Sequence, residues 1–212
     1  DGTFDYDPNG QFESLAAFQN GSDQVTYQVS DGEGGLDTAT LFVTVNGQND
    51  APIAQDDAFN ANDNSTISGN VLDDNGSGAD SDIDNFAALT VTALNGQAGD
   101  VGNQITLGSG ALLTLNSDGT FDYDPNGAFT GGGTETFTYT LEDDRGATDT
   151  ATVTITLNAT NQPPVAQDDA ISTDEETLIT GNVLADNGSG ADSDPDADPL
   201  TVTQINGVTA DI

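Results

Sequence analysis

The 212-residue chain carries 37 acidic side chains against one cation, Arg145, a net charge of −36 at pH 7. That charge excludes the basic face of a nucleic-acid binder and opposes docking on an anionic membrane. With no Cys or His, the chain has no disulfide staple and lacks the usual ligands of zinc, iron and copper sites.

In chain order, the first turn signal is Asp7-Pro8-Asn9-Gly10, followed by a loop containing Phe12, Leu15 and Phe18. Two alternating runs come next: Val25, Tyr27, Val29, then Ala39, Leu41, Val43, Val45. Pro52 and Pro164 punctuate linkers at 46–52 and 158–164. Between them, Ile67, Val71 and Leu72 mark an early strand. Leu89, Val91 and Ala93 mark the next, closed by Asn95-Gly96, and Leu200, Val202 and Asn206-Gly207 repeat it. Ile105 to Leu107 and Leu113 to Leu115 flank a Gly108-Ser109-Gly110 turn. Phe121 to Tyr123 ends at Asp124-Pro125-Asn126-Gly127, where Pro fixes φ and Gly permits positive φ. Phe137, Tyr139, Leu141 and Ala151, Val153, Ile155, Leu157 complete the series. Period-two alternation means one buried and one wet face. No segment reads as a helix, and no apolar run approaches the roughly 18 residues of a membrane span. Seven to nine strands with regular turns predict an all-β fold of tandem immunoglobulin-like Greek-key sandwiches.

The chain repeats itself. Ala51-Pro52-Ile53-Ala54-Gln55-Asp56-Asp57 returns as Pro163-Pro164-Val165-Ala166-Gln167-Asp168-Asp169, and the segment 74–82 returns unchanged at 186–194. The register, about 112 residues, is that of an independent β-domain. The expected division is the C-terminal half of one repeat (1–48), a complete repeat (49–160) and the N-terminal half of the next (161–212), a window from a longer array.

Asn49-Asp50-Ala51-Pro52 before a strand, Gly181-Asn182-Val183-Leu184 followed by Asp192-Ser193-Asp194-Pro195-Asp196, and Asp118-Gly119-Thr120-Phe121-Asp122-Tyr123-Asp124-Pro125 resemble the cadherin-like and VCBS-type tandem repeats of large bacterial surface adhesins. The resemblance covers essentially the whole chain. It implies calcium-binding (Ca2+), rigid stalk modules of proteins that leave Gram-negative cells by type I secretion and serve adhesion or biofilm formation.

A Greek-key path returns several acidic loops to one pole. In the whole repeat it would gather Asn49, Asp50, Asp56 and Asp57 with Asp80, Asp82 and Asp84, and with Asp143, Asp144 and Asp149. Crowded carboxylates repel by about 1 kcal/mol per pair at 4 Å even in water. A hard cation with six to eight oxygen ligands removes that penalty. The opposite pole is expected to carry Asp122, Asp124 and the loop at Asp63, facing Asp168, Asp169, Asp192, Asp194 and Asp196 of the next copy. Two features depart from a cadherin-type junction: Asn62-Asp63-Asn64 carries less charge than Asp174-Glu175-Glu176, and Asn161-Gln162 lacks the acid of Asn49-Asp50.

Catalysis is not expected, because no His, Cys or Lys is available as base or nucleophile. The expected role is a structural spacer whose partners are neighbouring repeats. The rival reading is a module binding surface glycans or a receptor. For it, the segment from Gln11 to Val25, about five residues longer than its counterpart, is the candidate private loop. The two half-repeats would be completed either within a longer continuous chain, which the strands missing from their sum favour, or head to tail between chains as a filament. The second arrangement would build a calcium pole from Asp31, Glu33 and Asp37 of one chain and Asp192, Asp194 and Asp196 of another.

Overall fold

A computed structural model describes residues 2–205 and the backbone of 208–209. Asp1 and the Asn206-Gly207 turn lie outside the described residues. The chain opens with a long hairpin, β1 (Asn20–Ser30) and β2 (Leu36–Asn46), paired over its full length. Eight strands follow: β3 (Asp57–Asn62), β4 (Ile67–Asn70), β5 (Thr90–Leu94), β6 (Gln104–Thr106), β7 (Leu112–Leu115), β8 (Thr120–Asp124), β9 (Gly133–Glu142) and β10 (Thr148–Asn158). A short pair, β11 (Gln204–Ile205) and β12 (Val208–Thr209), lies near the C-terminal end. One 3₁₀ turn, Ala98–Asp100, is the exception to the helix-free expectation. No helix among the described residues is long and apolar enough to cross a membrane.

The eight strands form two four-stranded sheets, ordered β3-β10-β9-β5 and β4-β8-β7-β6. Every ladder is antiparallel except β3 with β10, which run parallel from Asp57 opposite Val153 to Asn62 opposite Asn158. The alternation in sequence becomes the core. Phe137, Tyr139 and Leu141 of β9 and Val153, Ile155 and Leu157 of β10 point inward, against Leu113, Leu115, Phe121 and Tyr123 of the facing sheet. The Phe121 ring lies edge-on between Phe59 (centroids 4.8 Å apart) and Phe137 (6.2 Å). Burying each such side chain stabilises by about 1.5–3 kcal/mol, so a lean core without disulfides suffices. The sequence turns behave as their chemistry requires, with positive φ at Asn95 and Gly96 and at Asn126 and Gly127.

The parallel β3–β10 pair sets the polarity of this sandwich. The start of β3, the β4–β5 connection and the β9–β10 turn share one pole; the ends of β3, β8 and β10 share the other.

Candidate functional site

At the first pole, the acids expected to form one cluster separate into two. The outer group contains the linker and the two acidic loops. The Asp84 carboxylate accepts the Asp50 backbone N–H (3.0 Å), and Asp82 accepts the Asp84 backbone N–H (2.7 Å). The Asn49 carboxamide donates to Asp143 (2.7 Å) and to the Asp50 carbonyl (2.9 Å). Asp143 also receives the backbone N–H groups of Arg145 and Ala147 at 2.8 and 2.9 Å. Burial pushes the Asp143 pKa up, but the Asn49 amide and the turn N–H groups outweigh it and hold the carboxyl below its ordinary value. Asp84 and Asp143 are each only 5 % exposed. Within this group, Asn49 Oδ1, Asp82 Oδ2 and Asp84 Oδ1 are buried with no hydrogen-bond partner.

Such oxygens are costly to bury unpaired. They are also the donor set a hard cation takes: carboxylates mixed with a carboxamide oxygen. The residues therefore fit calcium, with Asn49, Asp82 and Asp84 offering the free oxygens and Asp50 and Asp143 flanking them.

The inner group lies deeper. The Tyr139 hydroxyl donates to Asp80 (2.8 Å) and lies close to the carbonyls of Gln55 and Val71. Asn75 donates to Asp57 (3.0 Å), and Asp149 accepts the Ala54 N–H (2.9 Å). Asp57 is 3 % exposed, and burial with Asp80 and Asp56 nearby pushes its pKa up to about 7, against the opposing bonds from Asn75 and Tyr139. Asp80 is raised too, chiefly by burial.

Asp56 and Asp144 leave the expected first-pole cluster, and Asp122 leaves its expected place at the far pole. Asp56, next to Asp57 on the strand entry, points outward and accepts the Thr152 N–H (2.8 Å). Asp144 pairs with Arg145 at 2.7 Å on the surface. Asp122 sits within β8 on its exposed face, bonded to Ser68, and not at the far pole; alternation along the strand places it there. Asp124 does reach the far pole, where it caps the turn N–H of Asn126 (2.8 Å). There Asp63, 5 % exposed, accepts N–H groups from Thr160, Gly131 and Gly132. Burial works to raise its pKa, and the bonds led by Thr160 overcome it and lower it.

The third copy repeats the outer wiring. Gln162 N–H donates to Asp196 (2.5 Å), as Asp50 does to Asp84, and Asp196 N–H donates to Asp194 (2.8 Å). Oxygens of Asp194, Asp196 and Asp198 lie within 4.8 Å of one another. Asp198 was not among the expected ligands, although it continues the Asp-x-Asp-x-Asp spacing. Asp192 accepts Gln167 N–H (2.7 Å), and Asp169 accepts the Asn187 amide (3.0 Å), the counterparts of Asp80 and Asp57. Asp168 is exposed, as are Asp31, Glu33 and Asp37 in the β1–β2 hairpin. Asp31 binds the N–H groups of Glu33 and Gly35, both at 2.8 Å. Sequence reasoning did not reveal the Tyr139 hydroxyl at Asp80, because a strand tyrosine reads as core.

A bacterial Ig domain family matches residues 1–44 and 161–211. The calcium-binding lectin RapA2 of Rhizobium johnstonii is 29% identical over 175 residues, 76% of this chain and 73% of that protein. Among solved structures, the protocadherin gammaB7 EC3-6 cis-dimer is 14% identical, with a TM-score of 0.36 over 72% of this chain and 36% of that one. A nucleoside hydrolase-related hypothetical protein from Saccharophagus degradans is 20% identical, with a TM-score of 0.32 over 53% of this chain and 26% of that one. The chain thus spans about a third and about a quarter of those two structures. The family of bacterial cadherin-like domains matches residues 49–159, just over half of the chain, and with its two-sheet sandwich between acidic poles the chain belongs to that family.

Proposed function

We propose that the chain is a run of calcium-braced spacer repeats from an extracellular or surface protein of bacteria, serving adhesion or a biofilm matrix, divided at 1–48, 49–160 and 161–212. The observation that carries this reading is the set of buried, unpartnered oxygens on Asn49, Asp82 and Asp84. They stand where the linker meets the acidic loop of the whole repeat. A cation there ties the linker to the sandwich and fixes the angle at which one repeat follows another. At the next junction Asp194 and Asp196 correspond to Asp82 and Asp84, Asp198 joins them where the whole repeat has Phe86, and Gln162 stands in the place of Asp50. The cadherin-like family and the calcium-binding relative support the choice of calcium.

An ion bound only by the folded state stabilises it by about 4 kcal/mol at a thousandfold excess over its dissociation constant. Calcium should therefore raise the melting temperature of the wild-type chain, and chelation should reverse the gain. Asp84→Asn should lose most of the calcium response. Small-angle scattering should show a longer maximum dimension with calcium than with chelator. An unchanged melt after exhaustive chelation, with no calcium by elemental analysis, would sink the assignment.

A second reading is a glycan-binding module. The lectin relative favours it, and so does the longer loop from Gln11 to Val25. The lack of His, Cys and Lys still argues against catalysis.

A further inference from the structure

The loop that precedes β1 is built from successive tight turns, with Gln11 N–H to the Pro8 carbonyl, Leu15 N–H to Phe12 and Gln19 N–H to Ala16, each at 3.0 Å. Its counterpart before β9 runs only from Gly127 to Gly133 and turns its one aromatic, Phe129, against the core. The longer loop is held from two sides. Gly47 of the linker donates to the Gln19 carbonyl (2.9 Å), and a Cβ at Gly47 would collide with the Leu15 and Ala16 carbonyl oxygens, so only glycine lets the loop settle there. Asn85, beside Asp84, donates through its backbone to the Ser14 carbonyl (3.0 Å) and through its side chain to the Ser14 hydroxyl (3.2 Å).

This fixed loop presents Phe18 98 % exposed, on a backbone with φ of 68°. A bulky side chain in the left-handed region is strained, and such strain clusters at ligand clamps. Beside the ring opens a cleft of about 590 Å³, lined by Ala17, Phe18, Gly47 and four residues that carry carboxamides, Gln19, Asn20, Asn46 and Gln48. None of these four carboxamides makes a hydrogen bond to another described residue. No carboxylate lines the cleft, although the chain carries 37. The cleft at the next linker differs: Asp63 and Asp124 line it.

We propose that the first cleft is a binding site for a neutral saccharide. The ring of Phe18 offers an apolar platform for the C–H face of a hexopyranose. Carboxamides both donate and accept, as sugar hydroxyls do, so the four available at this cleft can serve a polyol without demanding a charge. The surrounding acidic surface repels uronic and sialic acids. This inference rests on the second reading above and names its ligand class and residues.

The test titrates the 212-residue chain with cellotetraose, mannotetraose and galactotetraose as neutral probes and tetragalacturonate as the acidic one. Saturation-transfer NMR and calorimetry are read with calcium and with chelator. At least one neutral probe should bind, tetragalacturonate should bind more weakly, Phe18→Ala should weaken binding about tenfold, and Phe86→Ala should leave it unchanged, because Phe86 is also exposed (94 %) with a φ of 64° but does not line the cleft. Melting with and without calcium should be the same for Phe18→Ala as for wild type, so a failure here leaves the spacer reading standing. No binding of any neutral probe at millimolar concentration, equal binding by Phe18→Ala, or tighter binding of tetragalacturonate would overturn the proposal.

Discussion

The hairpins β1–β2 and β9–β10 are two copies of one local design in different surroundings. Both alternate apolar and polar residues, and both close on a turn whose first Asp gathers backbone N–H groups, Asp31 in one and Asp143 in the other. Yet Tyr139 is 1% exposed and its counterpart Tyr27 is 50% exposed; Leu141 is 0% exposed and Val29 is 54%. Pairing and turn geometry are thus written within the hairpin. Burial is conferred from outside it, by the facing sheet β4-β8-β7-β6, and β1–β2 has no such sheet opposite it among the described residues.

The largest expected break in this comparison comes from truncating matched core positions. Phe137→Ala should destabilise the sandwich by about 3–5 kcal/mol, measured by urea unfolding. Val25→Ala, at the matching site of the exposed hairpin, should stay within about 0.5 kcal/mol. Equal losses would show that the first hairpin is covered in solution. A smaller effect separates the two tyrosines. Tyr139→Phe removes the hydroxyl from one oxygen of the half-buried Asp80, which keeps the Gln55 N–H on the other, and should cost about 1–3 kcal/mol, while Tyr27→Phe should be silent in the same assay.

How much of this was legible in the sequence follows the same division. Most strand positions, the Asn95-Gly96 and Asn126-Gly127 turns and the grouping of Asn49 with Asp82, Asp84 and Asp143 followed from alternation, turn chemistry and chain path; Leu200 and Val202, expected in a strand, precede β11 (Gln204–Ile205), and Val71 and Leu72 lie in the turn beyond β4. Alternation also separates Asp56 from Asp57 and turns Asp122 outward, yet their shared acidity suggested shared roles. The bonds of Tyr139 to Asp80, Asn85 to Ser14 and Asp63 to Thr160 join residues 59, 71 and 97 positions apart. Such contacts depend on packing between loops, which local pattern does not encode.

The last expected effect is a slope. Asp57 titrates near 7 in the folded state, above the ordinary unfolded value of about 3.9. Between those values the folded state holds the extra proton, so this group's contribution to stability falls as pH rises from about 4 to about 7. The groups facing it are Asp56, Asp80, Tyr139 and Asn75, with Asp149 acting on Asp80. In calcium-free buffer, Asp57→Asn should flatten the decline in melting temperature across that window. A variant whose profile retains the full decline would assign it to another acid.

The parallel pairing of β3 with β10 matters once the chain is pulled. The linker before β3 leaves one pole and the linker after β10 leaves the other, so tension along an array drags these two strands in opposite directions along their shared ladder. Six residue pairs, from Asp57 with Val153 to Asn62 with Asn158, then carry the load in shear and must fail together. Antiparallel end strands pulled from a common end would instead peel one pair at a time. In the spacer role proposed above, the repeat would resist most strongly along the axis on which tension acts.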